Sequence, residues 1–309
     1  SWQQLYDGKL TANWDKYVSD QFPGRNLWIS GKSSLQKIWG QKDINGVYLG
    51  AKDYLFQKRE PPAAENMAAN MAAITAFAEN HPNYHIAMAL IPTSTAVLSD
   101  LLPKYAQPVD EKQIISQVQT ELPDKISFLS LYPALRQYKE EPIYYRTDHH
   151  WTTLGAYYGY VALGSLLGYV PYPLEDFTQK EVSKEFYGTL YAKGNFSFIA
   201  PDTMDLFLPK EGLNKPIKIT VMDDGTVYDS LYWMEKLQER DQYSLFLGGN
   251  HAYVKIETQA GTGKTLHLIK DSFSHCLLPF LALHYDEIHV YDLRYFRYPF
   301  DQFLEERQS

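Results

Sequence analysis

The segment IYYRTDHHWTTLGAYYGY, residues 143–160, brings one acid and two adjacent histidines together just before a predicted helix. Such residues could bind a metal ion, form half of a nucleophile-activating triad, or simply cap the helix. Asp148 and His150 stand two residues apart, so in an extended loop their side chains lie on one side. The acid can then hold one ring nitrogen while the other nitrogen faces a nucleophile. His149 is expected to point the opposite way.

Ser272 offers a nucleophile for this pair near the other end of the chain. It follows the apolar strand TLHLIK and begins SFSHCLLPFLALHY, which predicts a helix. A serine at a sharp strand-to-helix turn is exposed beside backbone N–H groups that can stabilise an oxyanion. A serine hydroxyl reacts poorly without a base, so Asp148, His150 and Ser272 would complete a triad. The simpler alternative is that Ser272 only caps the helix.

A metal site is the competing interpretation of the same segment. Asp148, His149 and His150 can all ligate zinc or manganese. Adjacent histidines converge on one ion only where the backbone twists, and further acids would be needed. Asp223 and Asp224 are candidates, but the glycine after them favours a turn. We therefore expect no metal and no cofactor.

The stretch FLGGN, residues 246–250, adds a candidate for oxyanion or substrate binding. Its glycines let the backbone turn tightly or approach a ligand closely. Gly249 would bring the backbone near the ligand, and the Asn250 amide could donate to an oxyanion. The alternative is an ordinary turn at the end of a strand.

Composition narrows the class of protein. The 309 residues are 45% hydrophobic, enough for a sizeable core, and the net charge of −8 without a basic stripe excludes nucleic acid as the expected partner. The single cysteine, Cys276, allows neither an internal disulfide nor a cysteine-based zinc site. The 25 tyrosines suit a sugar-binding surface, although tyrosines also lie at core edges with the hydroxyl in water.

The order of apolar and polar segments predicts an α/β protein. Residues 1–40 read as an N-terminal helical segment, and residues 41–309 as one α/β domain in which strands alternate with helices. This alternation predicts a mainly parallel sheet with flanking helices. At about 170–262, Gly, Pro, Asn and Asp become frequent, which predicts an irregular β-rich insertion.

The chain starts at Ser1 without Met, so we expect that a signal or membrane anchor was removed.

The motif TDHHWT, followed in order by YGTLY, FLGGN and IKDSFS, resembles the bacterial DHHW proteins. These are similar to the SGNH-like domains of alginate O-acetyltransferases. The resemblance implies an SGNH-hydrolase-like, flavodoxin-like fold. It also implies that Asp148 orients His150, that His150 activates Ser272, and that Trp151 packs the motif. His149 and Asp271, which stand next to these residues, are expected to support them.

The resemblance implies serine-dependent acyl transfer, the O-acetylation of an extracytoplasmic polysaccharide at the cell surface through an acyl-Ser272 intermediate. A membrane-bound O-acyltransferase would then be the donor partner, and we expect a monomer. Two alternatives remain open. One is a carbohydrate esterase with the same triad and water as acceptor; the other is a non-catalytic surface glycan-binding protein.

Overall fold

The computed structural model of the chain describes residues 43–300 and 303–304. The helical segment predicted for residues 1–40 lies outside the described residues. The strands are β1 (Val47–Leu49), β2 (Leu55–Gln57), β3 (Ile86–Leu90), β4 (Ile126–Ser130), β5 (Phe177–Phe186), β6 (Asp202–Pro209), β7 (Ile217–Val221), β8 (Val227–Tyr228), β9 (Tyr253–Thr258), β10 (Thr265–Ile269) and β11 (Glu287–Tyr291). The α-helices are α1 (Ala64–Asn80), α2 (Ser94–Val97), α3 (Glu111–Glu121), α4 (Tyr132–Gln137), α5 (Thr153–Leu167), α6 (Thr189–Gly194) and α7 (Leu278–Leu281).

The largest sheet in the described part of the chain has the strand order β10-β11-β9-β7-β8. Only β10 and β11 pair in parallel; β9 runs antiparallel to both β11 and β7, and β7 is antiparallel to β8. The predicted mainly parallel sheet is therefore corrected to a mixed, mostly antiparallel one. The chain re-enters this sheet as β10 after only a short loop from β9, which reverses its direction.

Three further strand pairs lie outside this sheet. β3 and β4 pair in parallel, as the predicted alternation of strands and helices requires, whereas β1–β2 and β5–β6 are antiparallel. β1 and β2 form a hairpin. The parallel strands β10 and β11 are joined by a short helical segment. The fold is mixed α/β.

The segment predicted as an insertion contributes to two structures. β5 and β6 form a long antiparallel pair with bulged register. β7, β8 and β9 instead join the sheet that contains β10 and β11. These three strands therefore belong to the same sheet as β10, the strand that precedes the Ser272 turn.

Helix α5 follows the Asp-His-His-Trp motif directly and holds it against the core. The Thr152 side chain caps the helix by accepting a hydrogen bond from the Gly155 N–H at 3.2 Å. Gly159 faces the fully buried Trp151 ring, and a Cβ at this position would lie 2.7 Å from the ring carbon Cζ3. Glycine at position 159 thus permits the close packing of helix and indole.

Tyrosine rings form much of the core. Tyr144, Tyr145, Tyr160 and Tyr291 are almost fully buried, whereas few tyrosines are largely exposed. Many of the chain's tyrosines therefore serve packing and not ligand binding. Among residues 43–300 and 303–304, every helix falls short of the length and apolar character that spanning a bilayer takes.

Candidate active site

Asp148, His150 and Ser272, which we call the triad, meet in one hydrogen-bonded row. Asp148 Oδ1 lies 2.6 Å from His150 Nδ1, and His150 Nε2 lies 2.7 Å from Ser272 Oγ. The first two residues come from the loop before α5. Ser272 begins a short 3₁₀ helix, Ser272–Cys276, directly after β10. The structure thus brings together residues that stand 122 positions apart in sequence.

The charge of Asp148 determines where the protons lie. Burial alone would raise the pKa of Asp148, but the facing His150 ring, with His149 and the Thr189 backbone N–H, holds it well below its usual range. An ionised carboxylate only accepts hydrogen bonds, so His150 Nδ1 must carry the hydrogen. In the neutral ring, Nε2 then accepts the hydrogen of the Ser272 hydroxyl. This is the arrangement that a general base requires.

The start of α6 holds the second oxygen of Asp148. Thr189 donates to Asp148 Oδ2 twice, from its backbone N–H at 2.7 Å and from its hydroxyl at 2.8 Å. Gly188 packs so closely that a Cβ there would lie 2.6 Å from the same oxygen. Both carboxylate oxygens are therefore fixed, which fixes the orientation of the His150 ring.

A second buried acid holds the backbone before the triad. Asp202, at the start of β6, accepts hydrogen bonds from the Thr147 N–H at 2.8 Å and the Thr147 hydroxyl at 2.6 Å. Arg146 pairs with its other oxygen at 3.1 Å. These contacts tie the loop that carries the motif to the β5–β6 pair.

Two aromatic residues connect the histidine loop with the serine turn. The Trp151 indole N–H donates to the Phe273 carbonyl at 2.9 Å. Tyr243 stacks on the His150 ring at a centroid distance of 3.8 Å, and its hydroxyl donates to the Ser272 carbonyl at 3.2 Å. Trp151 was expected to pack the motif from the resemblance, whereas Tyr243 was not identified from the sequence.

The Ser272 turn leaves one backbone donor available. Asp271 caps the 3₁₀ helix, because its carboxylate accepts the Phe273 N–H at 3.0 Å and its carbonyl accepts the Ser274 N–H at 3.3 Å. Within the described part of the chain, the Ser272 N–H donates no hydrogen bond. This N–H is therefore available to an oxygen that develops negative charge next to Ser272.

A sequence profile of the family described as DHHW protein matches residues 65–291, which is more than half of the chain. The chain belongs to the DHHW family. Among curated relatives, the probable alginate O-acetylase AlgJ of Azotobacter vinelandii is 27% identical over 170 residues, covering 49% of this chain. The match spans only 41% of that protein's length.

Two solved structures, one of them a DHHW family protein, resemble this chain in fold. A DHHW family protein from Eubacterium siraeum is 24% identical, with a TM-score of 0.67 over 85% of this chain and 88% of that one. PatB1 of Bacillus cereus, solved with a sulfonyl adduct, is 19% identical, with a TM-score of 0.69 over 84% of this chain and 90% of that one. At these identities the likeness establishes the shared fold.

The first histidine of the DHHW motif does not point away from the triad, so the prediction made for it is wrong. The His149 ring lies over the His150 ring with centroids 3.8 Å apart, and its Nδ1 lies 3.6 Å from Asp148 Oδ1. The reason is the backbone, which bends through residues 146–150 instead of extending. Burial, reinforced by the charge of His150, lowers the pKa of His149 to about 4.

The same three motif residues are a candidate metal cluster in the described part of the chain. One ligand atom from each of Asp148, His149 and His150 lies within 4.8 Å of the others. These side chains could hold a metal ion only by giving up hydrogen bonds, because Asp148 and His150 bind each other and His149 Nδ1 lies 2.7 Å from the Thr189 hydroxyl. The arrangement therefore suits proton transfer better than metal binding.

The FLGGN residues lie beside a charged cluster. The Asn250 side-chain oxygen accepts a hydrogen bond from Arg294 at 3.2 Å, and Arg294 also pairs with the buried Asp292. The Gly249 N–H points to the Phe246 carbonyl at 3.4 Å. Among the described residues, no hydrogen bond joins Asn250 or Gly249 to the triad, so their oxyanion or substrate role stays a prediction.

Two cavities of the described structure lie apart from the triad. The larger, about 740 Å³, is lined by residues that include Tyr172 and Tyr232, and the smaller, about 380 Å³, by residues that include His85 and Ser127. Neither lining contains a triad residue. The assignment of the site therefore depends on the hydrogen-bond geometry of the triad and not on cavity size.

Proposed function

We propose that this chain is a serine-dependent acyltransferase that O-acetylates an extracytoplasmic polysaccharide through an acyl-Ser272 intermediate. One observation carries the proposal: His150 has Asp148 on one ring nitrogen at 2.6 Å and the Ser272 hydroxyl on the other at 2.7 Å. A serine that only caps a helix has no need of an oriented histidine at its oxygen. Ser272 is half-buried and is therefore not sealed inside the core.

The first half-reaction follows from these contacts. Ser272 Oγ attacks the acyl carbon of the donor ester while His150 Nε2 takes the hydroxyl hydrogen. The bond between the acyl carbon and the donor oxygen then breaks, and His150 returns the proton to that oxygen. Asp148 stays ionised and stabilises the imidazolium between the two steps. The Ser272 N–H is placed to donate to the oxyanion.

The second half-reaction regenerates the serine. A sugar hydroxyl gives its proton to His150 Nε2 while its oxygen attacks the acyl-Ser272 carbon. The bond from that carbon to Ser272 Oγ breaks, and the proton passes from His150 to Oγ. The ester has then moved from donor to sugar, and the site is back in its starting state.

The choice of a polysaccharide as acceptor is supported by the relatives. The curated relative with 27% identity is named as a probable alginate O-acetylase. We propose that this chain likewise acts on a polysaccharide outside the cytoplasm, at the cell surface. The resemblance further supports a membrane-bound O-acyltransferase as donor partner, and we propose that this chain acts as a monomer.

The proposal can be tested by following an isotopically labelled acetyl group. The protein is incubated with 4-nitrophenyl [¹³C]acetate and pentasaccharides of several linkages, and mass spectrometry measures labelled sugar and free acetate. We expect labelled sugar with the wild type and none with Ser272→Ala. Treatment with a metal chelator is expected to leave the rate unchanged, whereas a metal-dependent rate would contradict the serine mechanism.

Two other results would replace the proposal. Fast acetate release without any labelled sugar would identify a carbohydrate esterase with the same triad. Failure to form acyl-Ser272 with any reactive ester, combined with glycan binding, would identify a non-catalytic glycan-binding protein.

A further inference from the structure

His149 takes part in a short chain of hydrogen bonds beside the triad. Its Nδ1 lies 2.7 Å from the Thr189 hydroxyl oxygen, and that hydroxyl donates to Asp148 Oδ2 at 2.8 Å. A hydroxyl group has a single hydrogen to donate. Because Thr189 gives this hydrogen to the carboxylate, its oxygen must accept from His149.

This chain of hydrogen bonds fixes the tautomer of His149. Nδ1 carries the hydrogen, so Nε2 of the neutral ring has a free lone pair and can only accept. Within the described part of the chain, no side chain or backbone N–H donates to this nitrogen. The His149 side chain is 27% exposed, and its ring is stacked on His150. This partly exposed ring thus holds an accepting nitrogen and lies next to the catalytic base.

The charged groups that act on His149 leave this tautomer neutral. Burial is the largest influence and lowers the pKa of His149; His150 and Arg59 lower it further, and Asp148 and Asp241 oppose them. The ring is thus available as a hydrogen-bond acceptor and not as a cation. A ligand group that donates a hydrogen bond, such as a hydroxyl, is its natural partner.

We infer that His149 Nε2 accepts a hydrogen bond from a second hydroxyl of the acceptor sugar, next to the hydroxyl that attacks acyl-Ser272. His149 is therefore an acceptor-binding residue that selects sugars with a neighbouring hydroxyl group. This inference rests on the proposed function, because it names the residue that binds the acceptor. The donor half-reaction does not require this contact.

The tautomer can be measured without any activity. In protein labelled with ¹⁵N-histidine, proton–nitrogen correlation at neutral pH is expected to show His149 Nε2 as an unprotonated nitrogen and Nδ1 as protonated. The His149→Phe variant, which keeps a ring to stack on His150, assigns the signals by their loss. A protonated Nε2 would overturn the inference whatever the activity.

The acceptor role is measured with 4-nitrophenyl acetate as donor and cellopentaose, chitopentaose or methyl glucoside as acceptor. We expect His149→Phe to raise the acceptor concentration for half-maximal transfer about tenfold or more, since a lost hydrogen bond of about 1.4 kcal/mol corresponds to tenfold. Release of 4-nitrophenol in the first turnover should change far less. His149→Gln, whose amide oxygen can accept a hydrogen bond, should restore part of the acceptor affinity.

His85→Phe is the matched control, because it changes an exposed histidine that contacts Ser127 beside the smaller cavity.

Equal acceptor dependence in the wild type and His149→Phe would overturn the inference and leave the proposed function intact. A wild type that acylates Ser272 but transfers to none of these acceptors would also contradict it. Failure of acylation itself would contradict the proposed function, and the nitrogen signals would still decide the tautomer.

Discussion

At the scale of single residues, the two nitrogens of His150 have different partners, and this difference fixes how the ring can react. Asp148 accepts from Nδ1, which leaves Nε2 to take the Ser272 hydrogen. We expect Asp148→Asn to lower kcat about 10³–10⁴-fold, because an amide in this place favours the wrong tautomer. Steady-state hydrolysis of an activated acetyl ester measures this. A loss of less than tenfold would contradict the role given to Asp148.

Ser272 and His150 share one proton-transfer step, so their removal should not be additive. Ser272→Ala and His150→Ala are each expected to abolish turnover of an activated ester, and the double variant should be no slower than either single one. The rates of the wild type, the two single variants and the double variant together form a double-mutant cycle. Losses that multiply would show that the two residues act in separate steps.

At the scale of secondary-structure elements, α6 positions the acid of the triad. Thr189→Val removes the hydroxyl that binds Asp148 Oδ2 but keeps the shape of the side chain. We expect this change to lower kcat for ester hydrolysis about tenfold, the effect of one hydrogen bond to a charged group. Thr189→Ser keeps the hydroxyl and is the matched control, which should retain most activity. Equal loss in both variants would mean that the threonine methyl group matters and not its hydrogen bond.

The sequence predicts the triad better than the residues that support it, because the supporting residues contact the triad from distant positions in the sequence. Asp148 and His150 are neighbours in the chain, and Ser272 stands at a recognisable strand-to-helix turn. Tyr243 and Thr189 reach the triad across 29 and 41 residues, and no local pattern specifies such contacts. The stretch YGTLY, which contains Thr189, was noted only as part of the family resemblance.

The errors of prediction also have local causes. His149 was placed on the wrong side because the alternation rule holds for extended backbone, and this loop bends. The parallel β10–β11 pair was predictable because a helical segment separates the strands. The direction of β9 was not predictable in the same way, since it depends on a loop and on which strand it meets in the sheet.

At the scale of the whole molecule, a buried ion pair joins the ends of β10 and β11 behind the Ser272 turn. Lys270 Nζ lies 3.1 Å from Asp292 Oδ2, and both side chains are 1% exposed. Burial lowers the pKa of Lys270, while Asp292 opposes this effect. The Lys270 ammonium also donates to His275 Nε2 at 2.6 Å.

Removing one charge of this pair should destabilise the fold. We expect Lys270→Met to lower the free energy of unfolding by about 3 kcal/mol, the lower end for a broken buried pair, because Arg294 still neutralises Asp292. Lys58→Met, which breaks the more exposed pair with Asp43, should leave the free energy of unfolding almost unchanged, because water screens such a pair. Denaturant unfolding of both variants measures the difference. Equal stabilities would contradict the structural role of Lys270.

If His150 activates Ser272 as a nucleophile, Ser272 should react selectively with electrophiles that target serine. The most direct measurement treats the wild type and His150→Ala with a serine-reactive sulfonyl fluoride and maps the modified peptide by mass spectrometry. We expect one adduct per chain, on Ser272, in the wild type and little modification of His150→Ala. Modification of another residue, or equal labelling of Ser272 in both proteins, would contradict it.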